Sequence, residues 1–261
     1  MLDLLSFRWR GFALLFGAFV SLALLAAALG RPAIAAASAR SSAKSLATFP
    51  TRPESLPAMR YANLSPSECR AELAERNISF QDENGQAPGV LAPVRLLGPV
   101  NGVVYRTALA AAGRQSSPWE VFDCRLVLSL WDFGGILQAH DVDEVVMFSA
   151  WRPPSKRWPE GKIADRHHGG LALDAQKFHR KNGEWLVVRD DYHGRIGSET
   201  CGDRQRPPQP ASAAAKELRS LVCEAVDAHL FNVLLTPNYN RAHFNHIHLE
   251  VKAGVKWFVV R

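Results

Sequence analysis

The chain has 261 residues, 47% of them hydrophobic and 21% charged, enough to bury a sizeable core in one or two domains. Its formal net charge of +6 is unevenly placed: residues 1–60 hold seven basic side chains against two acidic, and the rest hold 24 against 23. No basic face is implied beyond residue 60, so nucleic-acid binding has no support.

Arg8 and Arg10 precede an uncharged apolar run from Gly11 to Gly30, and Ala37-Ser38-Ala39 then offers a signal-peptidase site. Residues 1–39 are expected to be a signal peptide or, since residues 11–30 are long enough to cross a bilayer, an N-terminal membrane anchor. Either way the arginines hold the N-terminus in the cytoplasm, and the rest of the chain is exported to the periplasm or cell envelope. Membrane contact is expected through this segment alone. Residues 40–60, polar and proline-containing, read as a flexible linker, with the ordered domain over 61–261.

Ser65-Pro66-Ser67-Glu68 is a helix start, with Ser65 as N-cap, and the helix is expected to run to about Asn77. Turn-rich residues around Asp82–Gly85 lead to two strands, Val90–Leu97 and Val103–Tyr105. The spacing of Val121, Phe122, Leu126, Leu128, Leu130 and Ile136 predicts a largely buried helix from Trp119 to about Gln138. Glu144–Ser149 reads as a buried strand that Pro153-Pro154 cannot continue. Leu171–Ala175 and Trp185–Arg189 are further strands, with Asn182-Gly183 as a hairpin turn before the second. Gly197–Pro210 reads as loop, Ala211–Phe231 as an amphipathic helix, and Ile247–Val251 as a late strand. The expected class is α+β, a small antiparallel sheet flanked by helices.

Four cysteines, Cys69, Cys124, Cys201 and Cys223, form no C-x-x-C pair, so a thiolate metal site is not expected. Export favours disulfides, and of the three connectivities Cys69–Cys124 with Cys201–Cys223 is preferred because each pair closes a local segment. Four buried free thiols are the alternative.

The late strand carries the chemistry. Ile247, Leu249 and Val251 share one face, leaving His246, His248 and Glu250 on the other. Upstream, in His167-His168-Gly169-Gly170-Leu171-Ala172-Leu173-Asp174, Asp174 and the small Ala172 share a strand face. The odd separation of His167 and Asp174 forbids a common face on a continuous strand. Gly169-Gly170 allows His167 to fold back from a loop. Two imidazoles and one carboxylate make the donor set of an open, catalytic zinc site. His168 competes with His167 for the first position, and Glu250 reads as a hydrogen-bond partner rather than a ligand.

These motifs, with Asn238-Tyr239-Asn240-Arg241-Ala242-His243 leading into His246-x-His248-Leu249-Glu250, resemble the zinc D-Ala-D-Ala metallopeptidase superfamily, whose fold is hedgehog-like. Within it they are most similar to the bacterial extensin-like C-terminal domain family. The resemblance implies one Zn²⁺ held by His167, Asp174 and His248, with His246 as the base toward the attacking water and His243 as an orienting group. Arg152, in Phe148-Ser149-Ala150-Trp151-Arg152, would stabilise the carbonyl oxygen, its plainer role being a strand-end ion pair. Asp165 departs from the serine usual two residues before the first histidine, so it would either hydrogen-bond a ligand imidazole or alter the chemistry. The implied function is a zinc-dependent peptidase or carboxypeptidase acting on peptidoglycan stem peptides. The alternative is a non-catalytic envelope domain that binds peptidoglycan and keeps the metal site or fold. His193 reads as a loop histidine, and Trp151 and Trp158 as packing residues. Neither the bond cut nor the oligomeric state is legible.

Overall fold

The computed structural model describes residues 53–261. The expected signal or anchor segment and the linker up to residue 52 lie outside the described residues. Order begins earlier than the expected Tyr61: a 3-10 turn, Pro53–Ser55, precedes helix α1, Pro57–Ala62. Proline at the first turn suits a helix start, and α1 buries Ala58, Met59, Tyr61 and Ala62. That short apolar face is hidden in a stretch whose composition reads as tether.

Helix α2, Pro66–Glu75, starts on the expected capping box: the Ser65 hydroxyl accepts from the Glu68 N–H while Ser65 N–H donates to the Glu68 carboxylate at 2.9 Å. Strands β1, Phe80–Asp82, and β2, Pro93–Leu96, come next, then β3, Val104–Thr107, and a short helix α3, Ala111–Gln115. The buried helix expected from Trp119 begins five residues later. A 3-10 turn, Pro118–Glu120, leads into β4, Val121–Asp123, and only then does α4 run, Cys124–Ala139. Val121 and Phe122 are sheet residues facing Arg95 and Val94 of β2, and Asp123 caps α4 by accepting from Arg125 N–H at 3.0 Å. Strands β1, β2 and β4 form a three-stranded antiparallel sheet.

The larger sheet contains β3, β5 (Val142–Met147), β6 (Ala172–Arg180), β7 (Trp185–Val187), β8 (Val233–Leu235), β9 (Ile247–Glu250) and β10 (Val259–Val260). Its order is β10-β8-β9-β6-β5-β3, with β7 also paired to β6. The class is α+β as expected, but the sheet is mixed: β3 pairs with β5 in parallel, and so does β10 with β8. A parallel pair needs a crossover, and α4 lies in the one between β3 and β5. Asn182-Gly183 makes the expected turn, with Gly183 at φ +91° and Arg180 N–H bonded to Glu184 O at 2.8 Å. The strand after it ends at Val187 because Val188–Asp191 coils into a short helix, α5.

Helix α6, Ala213–Asp227, is capped by Ser212 and buries Leu218, Leu221, Val222 and Ala225. They join Leu126, Leu130 and Leu137 of α4 and Leu173, Ile247 and Leu249 of the sheet in one core. Cys69–Cys124 ties α2 to the first residue of α4, and Cys201–Cys223 ties the 197–210 loop to α6, the pairing locality favours. Two such bonds indicate an extracytoplasmic protein. Among the described residues, no helix is long and apolar enough to cross a membrane.

Candidate metal centre

Strands β6 and β9 lie side by side in antiparallel register, with Asp174 directly opposite His248. The alternation of β9 is as the sequence implies: Ile247, Leu249 and Val251 sink into the core, and His248 and Glu250 take the opposite face. His167 comes from outside the sheet, on the 3-10 turn Arg166–Gly169, which Gly170 ends at φ +64°. A Cβ on Gly170 would lie 2.7 Å from Asp123 N, and one on Gly169 2.3 Å from Ala164 O. Only glycines let this turn close so tightly that His167 comes back over Asp174.

The ring hydrogen bonds decide which nitrogens face inward. His167 Nδ1 sits 2.8 Å from Ala150 O, which only accepts, so Nδ1 carries a proton and Nε2 is the nitrogen turned to Asp174 Oδ1, at 3.2 Å. His248 Nε2 sits 3.1 Å from Glu250 Oε2, so Nδ1 is the nitrogen facing Asp174 Oδ1, at 2.9 Å. Glu250 also accepts from Arg166 Nε at 3.3 Å. It is therefore a partner of His248, as expected, and the outer nitrogen of each inward-facing ring is held by an oxygen.

One donor atom from each of His167, Asp174 and His248 lies within 4.8 Å of the others. Atoms ~2.1 Å from a tetrahedral centre are themselves ~3.4 Å apart. The two contacts to Asp174 Oδ1 differ from that by only a few tenths of an ångström, which makes the set compatible with a small divalent cation. The second oxygen, Oδ2, is taken by the Arg152 guanidinium, whose Nε donates to Ser149 Oγ at 2.8 Å. Arg152 thus fixes the carboxylate so that Oδ1 is the free donor.

The electrostatics say what the gap accepts. Burial raises the Asp174 pKa, but hydrogen bonds from His167 and His248 outweigh it and hold the carboxyl well below its usual range. Burial pulls the His248 pKa down, and Asp174 and Glu250 more than restore it, so it ends raised. Positive charge is stabilised between His248 Nδ1 and Asp174 Oδ1, and a proton or a metal ion can supply it.

His246 and His243 stand beside this cluster. His246 Nδ1 is 2.9 Å from Asn245 Oδ1, so Nε2 faces Asp174 Oδ1 at 3.5 Å. Burial pushes its pKa down, and the nearby His248 and Arg152 charges push the same way against Asp174. His243, held by Asn240 Oδ1 at 2.8 Å, is pushed down to about 4 by burial and then by His246 and His248. Their rings are 5.0 Å apart, in a cleft of about 330 Å³ lined also by Arg152, Arg166, Leu235 and Tyr239.

His168 turns outward, bonded to Arg152 O at 2.7 Å, and is not in the donor set. Asp165 does not reach a ligand ring; it pairs with Lys252, 87 residues away, which corrects the expected role beside His167. Trp151 packs against Ala87, Val90 and Val121, and its indole N–H donates to His168 O. His193 lines a separate cleft. The sequence reading missed Arg166, Leu235 and the asparagines that orient the outer histidines, though Asn240 and Asn245 sit within three residues of them.

The fold and site define an α+β domain built around a buried histidine–aspartate cluster suited to a metal. Residues 67–261 match the family described as extensin-like protein C-terminus, and the chain belongs to that family. No curated protein and no solved structure matches it.

Proposed function

We propose that the protein is a zinc-dependent peptidase of the D-Ala-D-Ala metallopeptidase type, acting in the periplasm or cell envelope on peptidoglycan stem peptides. One observation carries the reading. Two imidazole nitrogens and a carboxylate oxygen of Asp174 gather within 4.8 Å of one another, and the outer nitrogen of each ring is engaged by an oxygen, Ala150 O or Glu250 Oε2. His167 Nε2, Asp174 Oδ1 and His248 Nδ1 would hold a single zinc ion, which supplies acidification of water and polarisation of a carbonyl.

The remaining steps belong to the chain. His246, neutral and with Nε2 facing the cleft, accepts the proton of the attacking water and returns it to the departing amine. Arg152, half-exposed and lining the cleft, holds Asp174 Oδ2 and offers its remaining donors to the oxygen that gains charge. His243 packs beside His246 and keeps its ring oriented. The motif resemblance, the two disulfides and the N-terminal apolar segment together support an envelope substrate.

The test measures zinc per chain and soluble peptide release from purified sacculi, with and without chelator. The expected result is about one zinc per chain and release that the chelator stops. Asp174→Ala and His248→Ala should lose both. Chelator-resistant release, or an active zinc-free His248→Ala protein, overturns the assignment. Saturable sacculus binding without release supports the non-catalytic envelope domain instead.

A further inference from the structure

A series of clefts leads away from the metal centre. Tyr239 lines both the metal cleft and a neighbouring groove, and Ser198 lines both that groove and a third cleft of about 310 Å³. The third cleft carries His193, Arg195, Arg206 and Arg219, with Ser198 and Gln209, and no carboxylate side chain lines it. Asp203 and Asp227 line a separate cleft that touches Arg206 and Arg219. Arg189 and Arg204 have ion pairs, with Asp190 and Glu199, whereas Arg195, Arg206 and Arg219 have none among the described residues.

Arg219 is the one of the three shut off from solvent. It is only 7% exposed, and its Nε has no hydrogen-bond partner. Its terminal nitrogens lie 3.5 Å from Arg206 O and Asn238 Oδ1, the long limit of a useful hydrogen bond. Stacking over the Tyr192 ring at 4.3 Å explains its position but leaves Nε unpaired and the terminal nitrogens with long contacts only. A buried guanidinium without a counterion is costly, and two more arginines beside it raise the local potential further. Guanidinium forks match a carboxylate in plane and charge. Asn238 joins this cleft to the metal centre: its Oδ1 accepts from Arg195 N–H at 2.8 Å, and the next residue, Tyr239, walls the metal cleft.

We infer that the cleft of Arg195, Arg206 and Arg219 binds a free carboxylate of an extended peptide whose scissile bond lies at the metal centre. The inference rests on the peptidase reading for its substrate, but the carboxylate site can be tested without turnover. Amide resonances of the full chain are followed by NMR during titration with N-acetylglutamate, its neutral diamide, and inorganic phosphate. Arg195→Gln/Arg206→Gln is the comparison, since both side chains are exposed and their loss spares the core. Saturable shifts over residues 193–198 with N-acetylglutamate, absent with the diamide and about tenfold weaker in the variant, are expected. An equal response to the diamide, an unchanged response in the variant, or phosphate binding more than about tenfold tighter than the carboxylate overturns the inference. On peptides carrying a free carboxylate the variant should raise KM about tenfold at constant kcat, and on amidated ones leave it unchanged. A KM rise on both substrates overturns the link to the metal centre. If no peptide is cleaved by the wild type, the peptidase reading fails, and the titration alone decides the carboxylate site.

Discussion

Two buried aspartates, Asp123 and Asp174, differ in what surrounds them. Asp123 is completely buried and supplied with donors: Arg125 grips it with Nε at 2.8 Å and a terminal nitrogen at 2.9 Å, and the N–H groups of Arg125 and Ala92 add to them. Its charge is matched by a cation of the chain, and it caps α4. Asp174, just as buried, has Arg152 on one oxygen only, while imidazole nitrogens gather round the other. A carboxylate with its own counterion is structural. One that gathers imidazole nitrogens is arranged for a proton or a cation from outside.

The sharpest break of that comparison exchanges the losses. Asp123→Ala leaves a buried guanidinium alone and should cost about 3–5 kcal/mol in urea unfolding, while the molecules that remain folded still take up zinc. Asp174→Ala should abolish zinc uptake, read by metal analysis of the purified variant. If Asp123→Ala instead lost zinc while keeping its stability, the two roles would be reversed.

A finer test removes the oxygen behind a ligand. Glu250→Gln keeps the size of the side chain but weakens its hold on His248 Nε2–H. Zinc affinity by competition with a chromophoric chelator should fall about 10–100-fold. A fall in unfolding stability alone, at unchanged affinity, would make Glu250 merely the partner of Arg166.

The smallest effect is expected where an imidazole brings its own proton. His140, at the C-terminal end of α4, lies between Glu217 at 3.0 Å and Glu224 at 2.8 Å, both on α6. Burial lowers its pKa, and the two carboxylates outweigh that, leaving it raised. Folding therefore tightens its grip on the proton. The stabilisation is complete below the unfolded imidazole value of ~6.5 and is lost as pH rises through the higher folded value. In His140→Gln the decline in unfolding free energy across that range should flatten, and an unchanged slope would exclude the contact as its source.

How much of the molecule is legible in the sequence depends on the range of the interactions. Ser65 and Glu68 settle the start of α2 within one turn, and the cysteine pairs close local segments. The glycines and the alternating strand narrow the donors to His167 or His168, Asp174, and His246 or His248, and the family resemblance is what picks His167, Asp174 and His248 from them. Strand β4 is not, because three residues just ahead of α4, two of them apolar, continue its hydrophobic pattern, and only pairing with β2, across the sequence, makes them a strand. The parallel partners of β3 and β8 depend likewise on remote segments. The Asp165–Lys252 pair spans 87 residues and leaves no local sign.

The bridge between Cys69 and Cys124 bears on when the metal centre becomes complete. Cys124 directly succeeds Asp123, whose backbone N–H holds Gly170 O at 2.9 Å, on the turn that presents His167. In a reducing cytoplasm the chain lacks that brace, and the ligand turn leans on an unfastened helix start. Oxidation after export closes a loop of 55 residues, worth about 4 kcal/mol by loop-closure entropy, and firms the seat of His167 in the same event. The proposed activity would then become complete only once the chain has left the cytoplasm.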